Sequence, residues 1–233
     1  MGHGSIRIFV SARLAAGASF AATAQQAHYL LRVMRRRDGE TVALFNGDDG
    51  EWSAALATDG RSLRFTVGER LRAQAPDADL WLAFGLLKRD ATDLVMRQAT
   101  ELGVTRICPV LARRSQGERV NLARLQAIAI EAAEQSERLT LPTIDPPQTL
   151  AALLGTWPPA RPLVALVERA HAPLIRPASG ASGLLVGPEG GFAPEEIAEI
   201  GRHRWVVRAS LGPRILRAET AAIAGLAQLQ AGI

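Results

Sequence analysis

Along the first third of the chain, apolar and polar positions alternate in short runs. IRIFV (6–10), TVALFN (41–46), EWSAALAT (51–58) and RSLRFTV (61–67) each read as a strand. Asn46-Gly47-Asp48-Asp49-Gly50 joins the second run to the third, and Asp59-Gly60 joins the third to the fourth. Asn-Gly and Asp-Gly turns between alternating runs predict hairpins, and several short strands at this spacing predict a small barrel. A basic segment, HYLLRVMRRRDGE (28–40), lies between the first and second runs. AQAPDAD (73–79) has Pro76, two aspartates and no periodicity, so it reads as a linker between a domain at 1–72 and a domain at 80–233.

Beyond the linker the pattern changes. LWLAFGLL (80–87) is a buried strand. TDLVMRQATELG (92–103) follows with helical spacing, Val95, Ala99 and Leu102 on one face, Asp93–Arg97 and Arg97–Glu101 four apart, and Gly103 as the stop. RICPVLA (106–112) is the next strand and NLARLQAIAIEAAEQSERL (121–139) a long helix. After TLAALLG (149–155) come strands LVALV (163–167) and GLLVG (183–187), helix PEEIAEIG (194–201), strand RWVVRAS (204–210) and helix AETAAIAGLAQLQ (218–230). Alternating strands and helices with near-continuous apolar strands predict an α/β domain, a parallel sheet covered on both faces.

Composition narrows the functional classes. Apolar residues make up 48% of the 233 positions, enough for a packed core, and no apolar run is long enough for a membrane span. The alanine-rich start after Arg7 mimics a secretory signal, but Arg13 interrupts it and IRIFV alternates as a strand. Cys108 is the one cysteine, so disulfides play no part, which points to a reducing cytoplasm. The 27 basic residues include one lysine, Lys88, hence 26 arginines. Residues 1–75 hold ten arginines against seven acids and carry most of the excess, peaking at Arg32, Arg35, Arg36 and Arg37. Such a cluster is the footprint of a polyanion partner or else a solvated arginine-rich surface.

Open parallel sheets bind ligands at the carboxyl ends of their strands. Three strand ends stand out here: Glu168-Arg169, Pro188-Glu189-Gly190-Gly191 and Leu211-Gly212-Pro213-Arg214. Glycines let a ligand lie against main-chain groups; tight turns and nothing more are the lesser alternative. The spacing is neither GxGxxG nor a P-loop, and no GxSxG elbow is present. His3, His28, His171 and His203 form no ligand pair, so no metal is expected.

LVGPEGGF (185–192) followed by SLGPRILRAET (210–220) resembles the cofactor-site signature of the RsmE family of 16S ribosomal RNA uridine-N3 methyltransferases, in the SPOUT superfamily. Three further stretches resemble that family in the same order: RIFV with HYLLRVMRRRDGE, KRDATDLVMRQATELGVTRICPV (88–110) and EAAEQSERLTLP (131–142). Met34, the three consecutive arginines and Ala218 depart from the usual pattern. The resemblance implies a PUA-like β-barrel, then a SPOUT-type domain with a trefoil knot, and a homodimer acting on 16S rRNA of the small ribosomal subunit. Its cofactor would be S-adenosylmethionine, with no metal.

Carried over residue by residue, Gly187, Pro188, Glu189, Gly190 and Gly191 would form one wall of the cofactor pocket, and Leu211, Gly212, Ile215 and Leu216 the other. Thr220 would touch the ligand or cap the helix. Arg217 is the candidate for stabilising the uracil oxygens, and Glu189 and Glu219 are candidate bases or structural carboxylates. RNA contacts would start at Arg7, Arg32, Arg35 and Arg36 and continue along Lys88, Arg113, Arg114 and Arg138. Arg138 alternatively pairs with Glu134 on one helix face. Two rival readings are a SPOUT enzyme with another target, a ribose 2′-hydroxyl or a tRNA base, and a non-catalytic RNA-binding module.

Overall fold

The computed structural model describes residues 6–59, 62–116, 120–167 and 172–232. They form two compact units, one of residues 1–76 with 133–140, the other of 77–132 with 141–233.

The first unit is a curled five-stranded sheet. β1 (Arg7–Phe9), β2 (Ser19–Ala21), β3 (Thr41–Phe45), β4 (Glu51–Thr58) and β5 (Leu63–Arg72) run in the order β1-β3-β4-β5-β2. β3 and β4 pair antiparallel as the Asn-Gly turn predicts; β1 joins β3 in parallel. Asn46 makes that turn with its side chain, its Oδ1 accepting from the amides of Asp48 and Asp49 at 3.0 and 2.8 Å. β4 and β5 pair as the Asp59-Gly60 turn predicts, although Gly60 lies outside the described residues. Alternate residues Val42, Leu44, Leu56, Phe65 and Val67 enter one core with Ile8 and Leu30.

The basic segment is a short helix α1 (Ala24–His28) continued by a π-helical turn (Tyr29–Val33). Arg35 follows with φ of 54°, one of two non-glycine residues among the described residues at positive φ. β2 has three residues and no alternation to announce it. Residues 73–79 hold no helix or strand.

In the second unit β6 (Leu80–Gly85), β7 (Arg106–Leu111), β10 (Leu163–Leu166), β11 (Ser182–Val186) and β12 (Val206–Ala209) lie in the order β12-β10-β11-β6-β7, all parallel. Two-residue strands β8 (Thr143–Ile144) and β9 (Gln148–Thr149) extend the β7 edge. The helices are α2 (Arg89–Glu101), α3 (Leu122–Gln135), α4 (Leu150–Thr156), α5 (Pro194–Ile200) and α6 (Ala218–Gln230).

Strand alternation explains why both faces are covered. Leu80, Leu82 and Phe84 enter a core with residues of α2, α3 and α6, whereas Ala83, Cys108 and Leu185 enter another with α4 and α5. Asp93 does not rely on the helical neighbour Arg97; it receives Arg124 Nη1 from α3, a tie across packed helices that the i,i+4 rule cannot anticipate. No described helix is long and apolar enough to cross a membrane.

Candidate functional site

The strands of a parallel sheet end at one edge, so the loops after β6, β7, β11 and β12 gather there. Glu168 and Arg169, which follow β10, lie outside the described residues, as do His3 and His171.

The loop after β11 is braced on every side. Gly191, at φ of 66°, donates its amide to Pro188 O at 2.8 Å and closes a tight turn. Pro188 is buried against the end of β6, where a Cβ on Gly85 would stand 2.6 Å from Pro188 N. Gly190 O accepts from Arg114 Nη1 at 2.9 Å. Glu189 Oε1 accepts from the Lys88 amide at 3.1 Å, supplying the cap that Lys88, the N-cap of α2, does not give with its own side chain.

A second carboxylate ties the neighbouring loops. Glu196 is buried; its Oε1 accepts from Arg113 N at 2.9 Å and its Oε2 from Ala193 N at 2.8 Å. It joins the loop after β7 to the start of α5. Neither Gly85 nor Glu196 stands out in the sequence as a site residue. Glu196, three residues past the residue before α5, carries a helix-start signal; Gly85 looks like any strand residue until Pro188 is known to face it.

The loop after β12 is open. Ser210 Oγ accepts from Gly212 N at 3.1 Å, and Gly212 has φ of 113°. Leu211 and Leu216 are half-buried, while Ile215 is 63% exposed. Arg217 is the N-cap of α6 and is exposed; Glu219 lies half-buried in the first turn. Thr220 is exposed inside the helix, so it does not cap it.

Of the RNA-contact candidates, Arg32 and Arg35 are exposed and Arg36 is half-buried, 3.9 Å from Glu40. Lys88, Arg113 and Arg114 reach the carboxyl edge, Arg114 on Gly190 and Arg113 through its amide. Arg7 is corrected: it is 9% exposed, over the Phe45 ring, and bonded to Glu51. Its Nη1 donates to Ala133 O and Glu134 O at 2.6 and 3.0 Å and its Nη2 to Arg138 O at 2.8 Å. A buried guanidinium whose three nitrogens each bond a protein carbonyl or carboxylate is not presented to a phosphate. Burial opposes ionisation of Glu51, but hydrogen bonds from Arg72 and Arg7 outweigh it and hold the carboxyl below its ordinary range.

Arg138 is corrected as well. α3 ends at Gln135, so Arg138 lies beyond it rather than on its face; it is buried, with Nε on Thr140 Oγ1 at 3.0 Å. Cys108 donates Sγ–H to Asp145 Oδ2 at 3.2 Å, and burial pushes its thiol far up, which removes it as a nucleophile. Among the described residues no group of His, Cys, Asp or Glu is arranged to hold a metal.

Known proteins resemble the chain over nearly its whole length. The RNA methyltransferase domain family matches residues 74–230, and the RNA methyltransferase PUA domain family matches 22–62. Ribosomal RNA small subunit methyltransferase E of Rickettsia conorii is 35% identical over 230 residues, 96% of this chain and 94% of that protein. Its Synechocystis namesake is 34% identical over 97% of this chain and 77% of that one. The Neisseria gonorrhoeae enzyme of the same name, solved bound to S-adenosyl methionine, superimposes with a TM-score of 0.86 at 30% identity over 98% of each chain. The chain belongs to the ribosomal RNA small subunit methyltransferase E family of RNA methyltransferases.

Proposed function

We propose that the chain transfers a methyl group from S-adenosylmethionine to N3 of a uridine in 16S ribosomal RNA. The observation carrying this reading is the pair of glycine loops at the carboxyl edge, one braced by Gly85, Arg114 and Lys88, the other open with Ile215 exposed. The residues present fit the cofactor: the Gly191 amide, the Gly190 carbonyl and the Gly212 amide are used to shape the loops, the missing Cβ atoms at Gly187, Gly190, Gly191 and Gly212 let a ligand lie close against the main chain, and Leu211, Ile215 and Leu216 give apolar surface for an adenine. S-adenosylmethionine supplies, when bound, a sulfonium methyl open to in-line attack, chemistry that needs no metal.

The chain's own residues then have three tasks. The glycine loops hold the donor and exclude water. Arg217, with a free-standing guanidinium at the mouth of α6, donates to the uracil oxygens and stabilises the charge left when N3 loses its proton. Glu219, two residues on and half-buried, takes that proton; the reading is supported by Glu189 being occupied as the cap of α2. Arg32, Arg35 and Arg36 supply sequence-independent phosphate contact.

The chain works as a homodimer in the cytoplasm, on rRNA in the context of the small subunit, as the family resemblance implies. The exposed apolar Leu174, Val207 and Ile215 along edge strand β12 and its flanks favour a second copy there. Two measurements test the reading. Calorimetry should show S-adenosylmethionine binding, and its absence would refute the enzyme. Mass spectrometry of 16S rRNA from a strain lacking the gene should show 3-methyluridine lost; an unchanged level would move the target to another site.

A further inference from the structure

A cavity at the carboxyl edge of the second unit is lined by neither glycine loop. It measures about 370 Å³ and opens at the ends of β6 and β7, where α2 and α3 begin. That volume falls at the low end of the roughly 300–1,000 Å³ typical of small-molecule pockets, room for one nucleotide and no more.

Its walls divide by chemistry. Leu86 and Leu87, both buried, form an apolar floor with the half-buried Val120. Gln116 stands exposed at the rim with an amide that offers a donor and an acceptor at once, as a base edge requires, and Asn121 beside it accepts the Arg124 amide at 3.1 Å with its Oδ1 and presents its NH2 as a donor. Lys88 and Arg89, also exposed, supply positive charge; Arg124 is already held by Asp93. An apolar face, an amide rim and cations at the mouth match the base, edge and phosphate of an unstacked nucleotide.

The cavity also stands in a defined relation to the cofactor loops. β6 neighbours β11 in the sheet, and the Lys88 amide bonds Glu189 of the glycine loop. Strand spacing places the ends of β6 and β7 roughly 5–10 Å from that loop, a distance one nucleotide step of an unstacked strand covers. A base seated there would turn its edge toward Gln116 and Asn121 at the rim.

We propose that this cavity takes the nucleotide adjacent to the methylated uridine and so selects the sequence context of the target. The inference rests on the methyltransferase reading, and the test separates the two. Fluorescence anisotropy of the full chain with a labelled 16S rRNA hairpin is measured with an intact base and with an abasic site on either side of the target uridine. A Gln116→Trp variant, which fills the exposed rim, is measured on the same RNAs. With stacking and edge contacts at stake, the abasic site at one position weakens wild-type binding about tenfold, and Gln116→Trp does the same on intact RNA. Combined they cost about tenfold, not about a hundredfold, because both remove one interaction.

Additive losses, or none at either neighbour, would overturn the proposal. Loss of S-adenosylmethionine affinity in Gln116→Trp would overturn it too, by making the cavity part of the cofactor site. Lys88→Ala lowers the slope of log affinity against log salt by about 0.7; an unchanged slope contradicts the phosphate assignment. If the wild-type chain transfers no methyl while the coupling persists, the methyltransferase reading fails and the nucleotide pocket stands.

Discussion

The two glycine loops share an edge of one sheet and differ in how they are held. Gly187–Gly191 is clamped: Pro188 is wedged on Gly85, Gly190 hangs from Arg114, and Glu189 is fixed on α2. The loop after β12 is shaped by a Ser210–Gly212 turn and leaves Ile215 in solvent. A rigid wall sets where a ligand sits with little ordering cost, and an open wall lets it enter and be covered. Substitutions in the first loop should therefore touch stability and binding together, and those in the second binding alone.

The strongest test of that difference is Gly85→Ala. Its new methyl meets Pro188 backbone at 2.6 Å, so something must shift. Overpacking of this kind costs about 1–3 kcal/mol, visible as a lower Tm together with a loss of S-adenosylmethionine affinity in calorimetry. A wild-type melt would show that the clamp yields freely. Gly190→Val comes next: its Cβ would lie 3.1 Å from Arg114 Cβ, and affinity should drop by about a hundredfold, near 2.8 kcal/mol, with the chain still folded by circular dichroism.

Glu189 separates anchoring from catalysis. Glu189→Ala removes the cap of α2 and should cost about 0.5–2 kcal/mol in denaturant melts, whereas Glu189→Gln keeps an acceptor for the Lys88 amide and should retain most of the methyl-transfer rate. A collapse of kcat in the Gln variant would restore Glu189 as the base. The smallest expected effect is Ile215→Ser. Stability should stay within about 0.5 kcal/mol while cofactor affinity falls several-fold; a shifted melt would mean the second loop is as structural as the first.

Regular elements were legible where local pattern decides them. EWSAALAT is β4 residue for residue, AETAAIAGLAQLQ is α6, and the Asn-Gly turn placed the β3–β4 hairpin. β2 was not, since three residues with no alternation carry no signal. The family was legible through the order of the glycine loops with the other motifs. What escaped depends on partners far along the chain. Arg7 looks like any surface cation until carbonyls 126–131 residues away claim it, and Gly85 matters only because Pro188 arrives opposite it. Asp93 found Arg124 rather than Arg97 for the same reason.

The cluster around Arg7 also bears on when the protein can finish folding. Glu51 is held by Arg7 and Arg72, and those two arginines also bond the carbonyls of residues 133–138. The first compact unit therefore includes residues synthesised long after its strands, with most of the other unit's early elements in between. Contacts of such sequence separation form late and slowly. During synthesis the charged end of the five-stranded sheet has to wait, with Arg7, buried in the finished fold, still hydrated, until about residue 140 has left the ribosome. A fragment ending at Pro76 would hold the strands but not the carbonyls that complete their charged end.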